Sequence, residues 1–113
     1  MKARSLRRAE DWRRVQKSGQ TGSCDHLRVR VSERERDLPS RLGLRIRAQG
    51  PARGVTRNRA RRRVKEAFGL VGPSKGYDVV VQGDTGINGK TFQELSGCLD
   101  RALAEALRKK SDS

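Results

Sequence analysis

The sequence predicts one domain of mixed α-helices and β-strands. Two stretches alternate apolar and charged residues with a period of two. Three stretches carry apolar residues at helical spacing, and a short β-branched run falls between the last two of them. With 113 residues the chain has room for one domain, 1–113, and little more. Its core is expected over about 5–108, with 109–113 fraying. Hydrophobic residues, glycine excluded, make up 33% of the chain, against roughly 45–50% apolar, glycine included, in ordinary domains, so the core is expected to be small.

The first helix is predicted over 5–18, with Ser5 as its cap and Gly19 at its end. Leu6, Ala9 and Trp12 fall on one face. Trp12 can be read as a core residue or as a base-stacking surface. Residues 19–24 are turn-rich, with room for a short strand. A strand follows over 26–32, with Leu27, Val29 and Val31 inward and Arg28 and Arg30 outward. His26 at its start is read as structural. Residues 33–40 form a charged loop. A second strand over 41–47 turns Leu42, Leu44 and Ile46 inward and Arg41, Arg45 and Arg47 outward. The two strands are expected to pair antiparallel, giving an exposed face of five arginines.

Gly50 and Pro51 mark a loop over 48–54. The second helix is predicted over 56–68 and ended by Gly69, Gly72 and Pro73. At 100° per residue, Ala60, Val64, Ala67 and Phe68 share an arc of about 100°. Asn58, Arg61, Arg62 and Lys65 lie on the polar side, with Arg59 and Arg63 flanking the apolar stripe. Residues 77–82 read as an interior strand covered on both faces, and 83–89 as a loop. Thr91 and Glu94 match a capping box that opens the third helix, whose apolar stripe is Phe92, Leu95, Leu99, Ala102 or Leu103, and Ala106.

No apolar run approaches the ~20 residues of a membrane span, and no apolar stretch follows the basic N-terminus. Neither a transmembrane helix nor a secretory leader is expected. Cys24 and Cys98 lack metal-ligand spacing, so neither a disulfide framework nor a zinc site is expected; both are read as packing residues, which fits a reducing cytoplasm. No Ser/His/Asp, Cys/His or paired-carboxylate constellation is visible.

The net charge of +14 is one-sided. Residues 1–65 hold 21 Lys and Arg against 6 Asp and Glu, whereas residues 66–113 hold 6 against 7. A basic field of this kind predicts a polyanion partner, first of all RNA. Arginine outnumbers lysine 20 to 7, which suits forked contacts to phosphate, although GC-rich coding produces the same bias. The densest stretch is 57–65, where six of the nine residues are basic. Its like-charge pairs Arg57/Arg61 and Arg61/Lys65 each cost roughly 0.2–0.5 kcal/mol. Cations at a helix start also oppose the helix dipole, and a bound phosphate would reverse both penalties.

Residues 54–68, Gly-Val-Thr-Arg-Asn-Arg-Ala-Arg-Arg-Arg-Val-Lys-Glu-Ala-Phe, resemble the signature of the bacterial ribonuclease P protein family. Other pieces follow in the family's order: Leu6-Arg7-Arg8 with Asp11-Trp12 and Val15, then Arg41-Leu42-Gly43-Leu44, then Tyr77-Asp78-Val79-Val80-Val81. The resemblance covers about 4–107. It implies an α+β two-layer sandwich, a sheet of about four strands packed with three helices, with a left-handed β-α-β crossover.

It also implies a protein, monomeric by itself and cytoplasmic, that binds a catalytic RNA subunit and precursor tRNA. The RNA removes the 5′ leader with Mg²⁺, held mainly by the RNA. By position, Arg57, Asn58, Arg59, Arg61, Arg62 and Lys65 would bind the RNA subunit. Trp12, Arg28, Arg30, Arg45 and Arg47 would bind the leader. Gln16 and Arg30 stand where the family often carries aromatics, so leader recognition here leans on arginine. The alternative is a ribosomal or other structural RNA-binding protein without a cleavage role. The Arg-Asn-Arg helix led by Val55-Thr56 favours the first.

Overall fold

A computed structural model describes residues 4–48 and 53–111. Most of the loop expected at 48–54 lies outside them, as do Asp112 and Ser113. The elements are β1 (Arg4–Ser5), α1 (Ala9–Ser18), β2 (Gln20–Cys24), β3 (Leu27–Glu33), β4 (Arg41–Arg47), α2 (Arg53–Val71), β5 (Tyr77–Asp84), a 3₁₀ turn (Thr85–Gly89) and α3 (Phe92–Ser111). The fold is α+β: a five-stranded mixed sheet and three helices. No described helix is long and apolar enough to cross a membrane.

The sheet runs β1-β4-β5-β3-β2. β5 lies antiparallel to β3, with Val29 opposite Val81, and parallel to β4, with Leu44 opposite the same residue. The antiparallel pair expected between 26–32 and 41–47 therefore does not form. Val79, Val80 and Val81 are fully buried, and a strand with valine on both faces gains most by taking the centre. It parts the two arginine-bearing strands, which keep their outward alternation.

The fifth strand is β1. Ser5 looks like a helix cap, but Arg4 and Ser5 pair with Arg41 and Leu42. Leu6 continues the contact, its N–H donating to the Leu42 carbonyl at 2.9 Å. The first helix thus begins at Ala9 rather than residue 5, and Ala9 is exposed. Arg8 precedes it with no side-chain cap; Glu10 and Asp11 supply the favourable charge in its first turn. Gly19 ends it in an extended conformation.

One sheet face carries α2 and α3. Leu27, Val29, Val31, Leu42, Leu44, Ile46, Val79 and Val81 meet Ala60, Val64, Ala67, Phe68, Leu95, Leu99 and Leu103 there. The apolar stripes of α2 and α3 read from spacing are the buried ones, except that Phe92 is exposed. α3 comes closest to the sheet at Gly22, where a Cβ would overlap the Ala102 carbonyl. The other face carries α1, through Leu6, Val15 and Val80 with Trp12 against them.

Two helix ends differ from expectation. α2 passes through Gly69 to Val71. Glycine costs about 1 kcal/mol inside a helix, and burial of Ala67 and Phe68 just before it outweighs that. α3 continues to Ser111, three residues into the stretch expected to fray, with Lys109 paired to Glu105 at 3.2 Å. Its capping box forms as expected: the Glu94 N–H donates to Thr91 Oγ1 at 3.1 Å and the Thr91 N–H to Glu94 Oε1 at 2.8 Å. Thr91→Ala should lower stability by about 1 kcal/mol in chemical denaturation; an unchanged midpoint would show that the box contributes nothing.

Candidate nucleic-acid interface

The first basic surface belongs to α2. Its inner side is closed, with Ala60, Val64 and Ala67 at 0% exposure. That anchorage forces Arg57, Asn58, Arg59, Arg62 and Lys65 outward, and all five are exposed. None of them makes an ion pair or side-chain hydrogen bond among the described residues. α2 begins at Arg53, so Arg57 lies one turn inside the helix rather than at its start. The dipole penalty there is smaller than the sequence suggested, because it fades within the first turn. The mutual repulsion of the cations remains.

Two other arginines of α2 face the protein. Arg63 donates to the Ile87 carbonyl at 2.7 Å and to the Lys90 carbonyl, tying the 3₁₀ turn to the helix flank. Asn88 from that turn donates to the Thr56 carbonyl at 3.0 Å. Arg61 is half-buried and reaches the Leu44 carbonyl at 3.4 Å, so only part of it faces outward.

The second surface lies between α1 and β4. A cleft of about 630 Å³ is lined by Ala9, Trp12, Arg13, Gln16, Lys17 and Arg45. Trp12 is half-buried and fixed at both ends of its indole. Its Nε1–H donates to the Leu6 carbonyl at 2.7 Å, and its six-membered ring rests on Gly43. A Cβ at Gly43 would come within 2.6 Å of the ring. The Arg45 guanidinium sits 5.4 Å from the ring centroid, a cation–π distance. Trp12 thus packs on the sheet, as the core reading expected, and its remaining surface lines the cleft. Gly43→Ala should displace the indole. Since Trp12 is the only tryptophan, its emission should shift red and stability should fall by roughly 1–3 kcal/mol. Unchanged fluorescence would disprove the contact.

The five-arginine face is not free in full. Arg41 is spent on Asp78, which is completely buried. It donates from Nε to Oδ1 and from Nη2 to Oδ2, both at 2.7 Å, and reaches Asp11 at 3.1 Å. Asp78 holds Arg41 more firmly protonated than a free guanidinium. Arg14 of α1 also bonds to Asp78. Arg30 donates to the Gln16 carbonyl at 3.0 Å near the end of α1, where the helix dipole favours a cation. Arg28, Arg45 and Arg47 remain exposed. Arg13 and Lys17 add to the cleft without having been singled out by sequence; their place one turn apart beside Trp12 was the available signal.

Among the described residues, one cluster brings three potential metal ligands together: Cys24, Asp25 and Cys98. Two thiols and one carboxylate do not suit Mg²⁺, which takes oxygen ligands in octahedral geometry. His26 is exposed and faces Asp84 at 3.2 Å.

Comparison with known proteins follows the same geometry. A family model described as Ribonuclease P matches residues 1–107. The ribonuclease P protein component of Gluconacetobacter diazotrophicus is 32% identical over 108 residues, covering 93% of this chain and 92% of its own. The RNase P protein of Thermotoga maritima superposes with a TM-score of 0.65 at 26% identity, over 84% of this chain and 90% of that one. The Staphylococcus aureus RNase P protein shares the fold with a TM-score of 0.71 at 21% identity, over 91% and 94%.

Proposed function

The chain belongs to the ribonuclease P protein family, and on that premise we propose that it is the protein subunit of a ribonucleoprotein that removes the 5′ leader from precursor tRNA. α2 binds the RNA subunit through Arg57, Asn58, Arg59, Arg62 and Lys65, with a lesser share from Arg61. The cleft of α1 and β4 holds the leader. Trp12 and Arg45 offer a stacked platform for a base, and Arg28, Arg47, Arg13 and Lys17 offer cations for its phosphates. Arg30 acts mainly by holding the end of α1.

One observation carries this reading: a helix whose inner side is sealed in the core holds Arg57, Asn58, Arg59, Arg62 and Lys65 exposed, and none of these four cations is ion-paired among the described residues. Such a surface fits phosphate. On this reading cleavage, and the Mg²⁺ it uses, belong to the RNA.

The test is reconstitution with a transcribed ribonuclease P RNA. The protein should speed leader removal at low Mg²⁺ and cleave nothing alone. Arg45→Ala with Arg47→Ala leaves Trp12 and Gly43 in place. The pair should weaken binding of precursor tRNA by about tenfold or more, since two lost cationic contacts count roughly fivefold each near 0.15 M salt, and leave mature tRNA unaffected. Cleavage by the protein alone, or preferential capture of ribosomal RNA, would overturn the reading; equal losses for both tRNAs would remove the leader from the cleft.

A further inference from the structure

Cys24 and Cys98 are 74 residues apart in sequence, yet their sulfur atoms lie within 4.8 Å of one another. Cys24 ends β2 at the tight turn into β3. Cys98 lies on the inner side of α3 at 0% exposure, its S–H donating to the Cys24 carbonyl at 2.9 Å. The two thiols differ in setting. Cys24 is half-buried, and the Arg101 guanidinium donates to its sulfur at 3.3 Å. Lys90 adds a second cation, 2.9 Å from the Asp25 carboxylate, and holds that carboxyl below its usual range. Burial, with Cys24 beside it, pushes the Cys98 thiol up to about 12.

A partly exposed thiol next to a guanidinium, with a second thiol in reach, is the arrangement of an oxidisable cysteine and its resolving partner. We propose that Cys24 and Cys98 form a peroxide-responsive thiol pair that closes to an intrachain disulfide. The Cys24 thiolate attacks one oxygen of hydrogen peroxide. The O–O bond breaks, Cys24 becomes a sulfenic acid, and the departing hydroxide takes up the thiol's proton as water. The Cys98 sulfur then attacks the sulfenic sulfur. The S–O bond breaks, and the hydroxyl leaves with the Cys98 proton as a second water. Two electrons pass from the thiols to the peroxide.

The sulfurs must close to about 2.05 Å. A divalent cation is a poorer occupant, because Lys90 and Arg101 already sit on Asp25 and Cys24. The bond would tie the β2–β3 turn to α3 and enclose most of the sheet within one covalent loop, restricting the unfolded chain.

The full chain, folded and reduced, is treated with hydrogen peroxide and then alkylated. Intact mass should show the loss of two hydrogens and no alkylation, peptide mapping should link Cys24 to Cys98, and the thermal midpoint should rise by several degrees. Cys98→Ala should trap a sulfenic acid at Cys24 that a dione reagent labels. Cys24→Ser should leave Cys98 reacting at least about tenfold more slowly. Sulfinic acid without the two-hydrogen loss, equal rates in the two variants, or a stoichiometric zinc ion retained by the untreated protein would each overturn the proposal. If either variant fails to fold, the linked peptide of the natural chain decides.

Discussion

Arg57, Arg59 and Arg62 changed together to glutamate should abolish assembly with the RNA subunit while leaving the domain folded. All three side chains are exposed and unpaired among the described residues, so the fold loses nothing by their removal and relieves some repulsion. The RNA complex loses a great deal. At about 0.15 M salt, each phosphate contact contributes roughly fivefold through counterion release. Three lost contacts amount to about a hundredfold, and three new carboxylates add repulsion at the same places. Affinity should fall by roughly a thousandfold or more, and the salt dependence of binding should flatten by about three contacts' worth. Circular dichroism confirms the fold; filter binding across a salt series gives the slope. Native affinity in the folded variant would exclude this face.

The second large effect is expected inside the protein. Arg41→Met should destabilise the domain by about 3–5 kcal/mol, because it strips a fully buried carboxylate of its two-pronged partner. For a domain of this size that is roughly 12–20 °C in the midpoint and a third or more of a typical total. Asp78→Asn should cost less, since Arg41 and Arg14 keep side-chain exposures of 21% and 47% and can return to water. In the double variant the two losses should not add: most of the Arg41→Met penalty should vanish once the buried charge is gone. Additive losses in a double-mutant cycle would mean that the ion pair is incidental to stability.

Local pattern made much of this molecule legible. Alternation placed Leu27, Val29, Val31, Leu42, Leu44 and Ile46 inside, spacing placed Ala60, Val64, Ala67 and Phe68 on the sealed side of α2, and Thr91 with Glu94 marked the start of α3. Each of these depends on neighbours within a few residues. Strand partners do not, which is why β5 was not seen between β3 and β4. Two residues of β1 carry no period, and Ser5 suits a cap as well as a strand. Arg30 and Arg41 look identical in sequence to Arg28 and Arg45. They differ only because α1 folds over that face, bringing the Gln16 carbonyl to one and joining the other at the buried Asp78. The meeting of Cys24 with Cys98 is likewise a product of the crossing of α3 over β2.

The position of β5 also sets an order of events during synthesis. β3 and β4 leave the ribosome early, yet neither can find its central neighbour until Tyr77–Asp84 has followed. Until then the nascent chain is an open array carrying 21 Lys and Arg against 6 Asp and Glu in its first 65 residues. Pairing across such separations is intrinsically slow, and the growing chain spends that interval as a polycation surrounded by nucleic acid. A chain halted before Tyr77 could pair β2 with β3 and β1 with β4 but could not join the two halves, so the last third of the message completes a sheet that the first two thirds can only begin.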